Sequence, residues 1–174
     1  LAETRNFDGK CVLIFQPAEE GGGGGNEMVQ DGLMDRFGIQ EVYGMHNSPN
    51  GAAGTVGICK GAAMAGASFF DITVQGKGSH AAAPHQSRDP LVIASNLVGS
   101  LQTILSRNVA PLDTCVLSVT QLHAGAAYNV VPDTAMLAGT IRYFKDEVSA
   151  LAETRMRELC AGFAVAYGVS INVD

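Results

Sequence analysis

The sequence lacks the features that mark several large functional classes. Its 11 Lys and Arg are outnumbered by 17 Asp and Glu, a net charge of −6, so nothing points to nucleic acid or an anionic membrane as a partner. No apolar run approaches the ~18–20 residues needed to span a bilayer. There is no basic-then-apolar leader at the start. The four cysteines, Cys11, Cys59, Cys115 and Cys160, show no CxxC spacing; three sit inside apolar stretches and are expected to be small buried hydrophobes. A reduced, cytoplasmic compartment is the matching expectation. Charged residues are scarce at 16% and apolar ones plentiful at 47%, which excludes a disordered chain and allows a real core.

What is present reads as two pieces of α/β structure. At 174 residues the chain can hold one ordinary domain, or a small domain plus part of another. It opens on Leu1, and Leu1–Arg5 reads as the tail of a helix, so the expectation is a segment from the middle of a larger protein. Residues 1–62 are expected to be part of a parallel-sheet α/β domain. Cys11–Gln16 (CVLIFQ) is a short unbroken apolar run, as for a strand covered on both faces. A helix is predicted from Asn26 as N-cap, interrupted by Gly32. Glu41–Met45 is a second strand-like run, so strand, helix and strand make a βαβ unit. A short strand over Thr55–Cys59 leads into the next piece.

Residues 63–174 predict an α+β, ferredoxin-like order, β-α-β-β-α-β. Phe69–Gln75 alternates as a strand. Asp89-Pro90 supplies an N-cap and a proline at the first helical position, followed by a stripe of Leu91, Ala94, Leu97, Val98, Leu101, Ile104 and Leu105. Thr114–Leu122 and Thr134–Phe144 are the middle strands. Asp146 is expected to cap a helix with Leu151, Met156, Leu159 and Phe163 on one face, stopping at Gly168. Ser170–Val173 begins a last strand, read as truncated.

Several residues could carry chemistry. Glu19 and Glu20 follow an apolar strand, where an α/β sheet places its ligands. Two adjacent carboxylates are costly to bury without a compensating cation or donor. One can ligate a divalent metal while the other takes a proton from water; the plainer alternative is a solvated acidic turn. His46 stands at the end of the next strand-like run. A lone histidine is more often a satisfied residue than a ligand, but carboxylate and imidazole at neighbouring strand ends suit a zinc-like site. Gly21–Gly25 invites a phosphate-loop reading, yet Asn26 occupies the last glycine place of GxGxxG and no Lys-Ser/Thr follows. His80, in Gly76-Lys77-Gly78-Ser79-His80, and Asn129 lie on loops, open to substrate contact or to mere surface and turn roles. Arg142 lies within a strand, and its fork suits a carboxylate. His123 reads as structural.

Taken together, VLIFQPAEEGGGG, EVYGMHNSP, FFDITVQGKGSHAAAPH, DPLVIASNLVGSLQTILSRN and AYNVVPDTAMLAGTIR resemble the aminoacylase/carboxypeptidase family of metallo-amidohydrolases. The likeness is strongest to its hippurate hydrolase and indoleacetyl-amino-acid hydrolase branch. The resemblance implies metal-dependent hydrolysis of the amide of N-acyl-amino acids, with one or two divalent ions (Zn, Mn, Co or Ni). It implies Glu19 as general base, Glu20 and His46 as metal ligands, and His80 as a lid histidine that steadies the oxyanion, often of the partner subunit. Asn129 and Arg142 would hold the substrate's carboxylate or amide. Residues 63–174 would be the lid and dimerisation domain, forming a homodimer. The family's earlier Cys/Asp–His metal motif and its late histidine ligand have no counterpart here. A chain that is only a lid and dimerisation module, without turnover of its own, is therefore the alternative.

Overall fold

Phe70, Ile72 and Val74 are buried and alternate with the exposed Phe69, Asp71 and Thr73 along one strand, and this period of two decides which face of the sheet carries the core. The computed structural model describes residues 3–174, divided into two compact units, Leu1–Val56 and Gly57–Asp174.

The second unit is built on strands β1 (Gly66–Gln75), β3 (Cys115–Ala124), β5 (Thr134–Tyr143) and β6 (Ser170–Val173), with a separate two-residue pair, β2 (Ser79–His80) and β4 (Val130–Val131). The four longer strands form one sheet in the order β3-β5-β1-β6, every neighbouring pair antiparallel. Helices α3 (Pro90–Arg107) and α4 (Asp146–Tyr167) pack on one face, so the longer elements run β-α-β-β-α-β. Ile72, Val74 and Leu137 meet Leu97, Leu101 and Ile104 of α3 and Met156 and Cys160 of α4, all at most 2% exposed. The opposite face of the sheet carries Phe69, Thr73, Met136 and Arg142.

Local chemistry sets the helix ends. The Asp89 carboxylate accepts from the backbone N–H groups of Leu91 and Val92 at 2.9 and 3.3 Å, satisfying two donors that the helix cannot. Asp146 does not cap α4: Lys145 takes that place without a side-chain cap bond, and Asp146 is the first helical residue, where its charge suits the helix dipole. Gly168 ends α4 in the left-handed region at φ 63°. The stripe expected on α3 holds at Ala94, Leu97, Leu101 and Ile104, while that of α4 is shifted. In α3 Ile93 is buried while Leu91 is 41% exposed. In α4 the stripe centres on Val148, Ala152, Met156 and Cys160, with Leu159 and Phe163 at its flank. Helix rows at i, i+4 and i, i+3 lie close together, and packing chose the neighbouring row.

The first unit departs further from expectation. Its elements are α1 (Gly24–Gln30) and α2 (Leu33–Phe37). Cys11–Gln16 and Glu41–Met45 carry no strand, nor does Thr55–Cys59. A strand of a parallel sheet needs ladder partners and cover on both faces, and these runs have no ladder partner among the described residues. Leu13, Phe15, Tyr43 and Met45 accordingly stand in solvent. Helix α1 starts before Asn26, with Gly23 at the N-cap in the left-handed region, and breaks at Asp31-Gly32. Leu1–Arg5, expected as a helix end, lies partly outside the described residues, and residues 3–5 are not helical. Of the cysteines only Cys160 is buried; Cys11 and Cys59 are exposed and Cys115 is half-buried.

Candidate functional site

The carboxylate pair sits in a turn built by its neighbours. Ala18 adopts φ 50°, a left-handed conformation that costs a non-glycine residue about 1 kcal/mol or more. Its carbonyl accepts the Gly22 N–H at 3.0 Å. The chain then folds back so closely that a side chain on Gly24 would overlap the Pro17 carbonyl, which requires glycine at that position. Glu19 and Glu20 stand at the tip, both exposed. His46 is exposed too, and its Nδ1 lies 2.7 Å from the Asn47 carbonyl oxygen, leaving Nε2 as the nitrogen open to a ligand. Among the described residues no three His, Cys, Asp or Glu side chains converge where they could hold a metal ion. The donor types of Glu20 and His46 fit a divalent cation, while a closed site takes three or four ligands.

In the second unit the GKGSH segment is positioned by close backbone contacts. A side chain at Gly76 would overlap the Arg88 carbonyl, and Lys77 and Arg88 exchange backbone bonds of 3.0 and 2.9 Å. The Gly78 N–H donates to Asp133 Oδ1 at 2.7 Å. These contacts deliver Ser79-His80 to Val130-Val131 as the short β2–β4 pair. The pair brings two candidate residues together: the Ala81 N–H donates to the Asn129 carbonyl at 2.9 Å, directly beside His80. The Ala82 N–H donates to His80 Nδ1 at 3.1 Å. Nδ1 is therefore the acceptor, and in the neutral ring the proton belongs on Nε2, leaving that nitrogen as a donor. Both side chains are exposed.

Arg142 lies elsewhere. It sits at the far end of β5, opposite Ala67 of β1 and Val116 of β3. From Thr134, where β5 leaves the His80–Asn129 corner, that is roughly 26 Å along the strand at ~3.3 Å per residue. Its guanidinium stands 5.8 Å from the centroid of the Phe69 ring. None of the ion pairs among the described residues involves it. Sequence reasoning missed Asp133 and Phe69. The signal for Phe69 was an aromatic at the solvent-facing parity of an alternating strand. It also passed over a cavity of about 650 Å³ on the open side of the sheet, lined by Thr73, His123, Ala126, Val130, Pro132 and Met136. His123, read as structural, is exposed there, with Nε2 3.2 Å from Gln121 Oε1.

Comparison with known proteins identifies the family. The description "Peptidase family M20/M25/M40" matches residues 1–164. The chain belongs to this family. It is 43% identical over 168 residues to the N-acetyl-L-cysteine deacetylase of Bacillus subtilis (strain 168), a match covering 97% of this chain and 40% of that protein. It is 39% identical over 171 residues to the hippurate hydrolase of Campylobacter jejuni, covering 98% and 45%. A Bacillus subtilis crystal structure described as a dinuclear metal-binding peptidase of the M20 family superposes with a TM-score of 0.69 at 32% identity, over 92% of this chain and 39% of that one. The chain thus spans less than half the length of these relatives, and it shares their mixed α/β fold. No helix among the described residues is long and apolar enough to cross a membrane.

Proposed function

We propose that the parent protein hydrolyses the amide bond of N-acyl-amino acids with one or two divalent metal ions bound. On this reading the chain supplies its proton-shuttling carboxylate, part of its metal shell and its lid. The observation that carries the reading is the family match over residues 1–164, joined to relatives named for hydrolysing N-acetyl-L-cysteine and hippurate. Glu20 and His46 would hold an ion, Zn, Mn, Co or Ni, with the remaining ligands supplied by parts of the parent that this chain does not span. When bound, such an ion polarises the scissile carbonyl and makes water acidic enough to react near neutral pH.

The chain's own residues do the rest. Glu19, at the tip of its turn, accepts a proton from the attacking water and passes it to the leaving amine. His80 presents its Nε2–H to the oxyanion of the tetrahedral intermediate, and Asn129 beside it steadies the amide. Arg142 offers its fork to the substrate carboxylate. Arg142 stands roughly 26 Å along β5 from Thr134, the strand end nearest the His80–Asn129 corner, at ~3.3 Å per residue. We propose a homodimer formed through residues 63–174, with His80 of one copy reaching the active site of the other. The ten-residue edge strand β3 is open to a second copy. We place the protein in the cytoplasm.

The test is a metal-loaded parent enzyme carrying Glu19→Gln. Turnover of N-acetyl- or N-benzoyl-amino acids should fall by about 100-fold or more, and a variant with full kcat would remove Glu19 as the base. A second reading concerns this chain alone: because only Glu20 and His46 are candidate ligands and no three-donor group forms among the described residues, it acts as a lid and dimerisation module without turnover. Hydrolysis by the purified chain with Zn²⁺, Mn²⁺ or Co²⁺ would refute that.

A further inference from the structure

An exposed phenylalanine on a strand needs no special explanation by itself. Phe69 is 70% exposed, and what distinguishes it is its place beside Arg142. The register sets Phe69 opposite Thr140 and Ala67 opposite Arg142, so the two side chains are diagonal neighbours on the open face. The residue directly across from Arg142 on that side is the small Ala67, which leaves the space between them to the ring. The guanidinium stands 5.8 Å from the ring centroid. Its remaining polar contact is a 3.4 Å bond from Nη1 to the Ile141 carbonyl, and no ion pair among the described residues claims it. On the other flank stands Val116, across from Arg142 on β3.

We infer that Phe69 is a positioning residue for Arg142: its ring holds the guanidinium on the sheet face and leaves the fork's outer N–H groups free for a ligand carboxylate. The inference rests on the reading of Arg142 as the carboxylate anchor. A free arginine side chain loses several rotatable bonds when it clamps a ligand, and a ring that already restrains the guanidinium removes part of that loss before the ligand arrives. A ring face attracts the cation without using any of its N–H donors, whereas a carboxylate neighbour would occupy them. The arrangement therefore favours substrates that bear a free carboxylate over their neutral counterparts.

Steady-state kinetics on the metal-loaded parent enzyme tests this, using a panel of N-acetyl- and N-benzoyl-amino acids and the matching amino-acid amides, which lack the carboxylate. Phe69→Ala is expected to raise KM for the acids roughly three- to fivefold, with kcat unchanged and the amides unaffected. Phe69→Tyr, which keeps the ring, should retain the original KM. Arg142→Ala should raise KM for the acids further. If Arg142→Ala raises KM and Phe69→Ala does not, the role of Phe69 falls while that of Arg142 stands. The role of Phe69 falls equally if acids and amides suffer alike, or if Phe69→Tyr is as damaging as Phe69→Ala, since the ring would then act through packing. If Arg142→Ala leaves KM unchanged, or no panel member is hydrolysed, the underlying reading fails and this inference with it.

Discussion

The runs Cys11–Gln16 and Phe70–Val74 carry similar apolar character, yet they end in opposite surroundings. Leu13 and Phe15 are 77% and 84% exposed, whereas Ile72 and Val74 are fully buried. Phe70–Val74 belongs to β1, which has β5 on one side, β6 on the other and helices over one face. Cys11–Gln16 has no ladder partner among the described residues. The difference teaches that an apolar run is a demand for neighbours, and that the strand appears only where those neighbours are supplied. Residues 57–174 supply their own.

The sharpest way to break this comparison is to truncate one large side chain in each unit. Leu97 is fully buried between sheet and helices, so Leu97→Ala should cost about 2–5 kcal/mol, the transfer loss plus the cavity left behind. Phe15→Ala removes a larger but exposed side chain and should change stability by no more than about 0.5 kcal/mol. Urea denaturation of the chain followed by circular dichroism measures both. Equal losses would mean that the first unit holds a core of its own.

A smaller effect tests the helix that closes the second unit's core. Asp89 caps α3 through two backbone N–H groups, and Asp89→Ala should cost about 1 kcal/mol. Asn26, the cap expected in the first unit, lies inside α1, so Asn26→Ala should be close to neutral. A loss at Asn26 that matched the loss at Asp89 would show that the first unit's helix is capped after all.

These pairs show how far the residues spoke for themselves. Asp89-Pro90 and Gly168 were legible because capping is decided within a few residues, and β1, β3, β5 and β6 because their alternation is satisfied inside the same unit. The strands over residues 11–16 and 41–45 were read from the same kind of pattern and did not form, because no ladder partner for them stands among the described residues. The stripe of α4 was misplaced by one row, a choice that only the sheet beneath it makes. Glu19, Glu20, His46, His80, Asn129 and Arg142 are candidates named from their motifs alone. Their grouping was not legible there: the approach of His80 to Asn129 depends on the β2–β4 pair, two residues per strand, too short to leave a periodic signal. The distance of Arg142 from that corner follows from the length of β5, and its contact with Phe69 from a diagonal register that no single strand encodes.

The same contrast extends to the cysteines, where the expected effect depends on pH. Burial pushes the Cys160 thiol up to about 11 from its ordinary 9.0, outweighing the nearby Arg157 guanidinium, which acts in the opposite sense. A thiol is neutral when protonated, so the folded state holds a proton that the unfolded chain gives up sooner. Its contribution is fully present below pH 9.0 and is lost as pH rises toward 11, because the unfolded state gains the ionisation that burial denies the folded one. The urea midpoint should therefore decline across this window by an amount that disappears in Cys160→Ala, once the constant loss from the missing sulfur is set aside. Lys and Tyr titrate in the same range, so the quantity to measure is the difference in slope between the unaltered chain and the variant. Cys11→Ala, at an exposed position in the first unit, serves as the control and should leave the slope intact. If the slopes of the Cys160 and Cys11 variants coincide, Cys160 is reached by water in the folded chain, and the core beneath α4 is looser than its packing indicates.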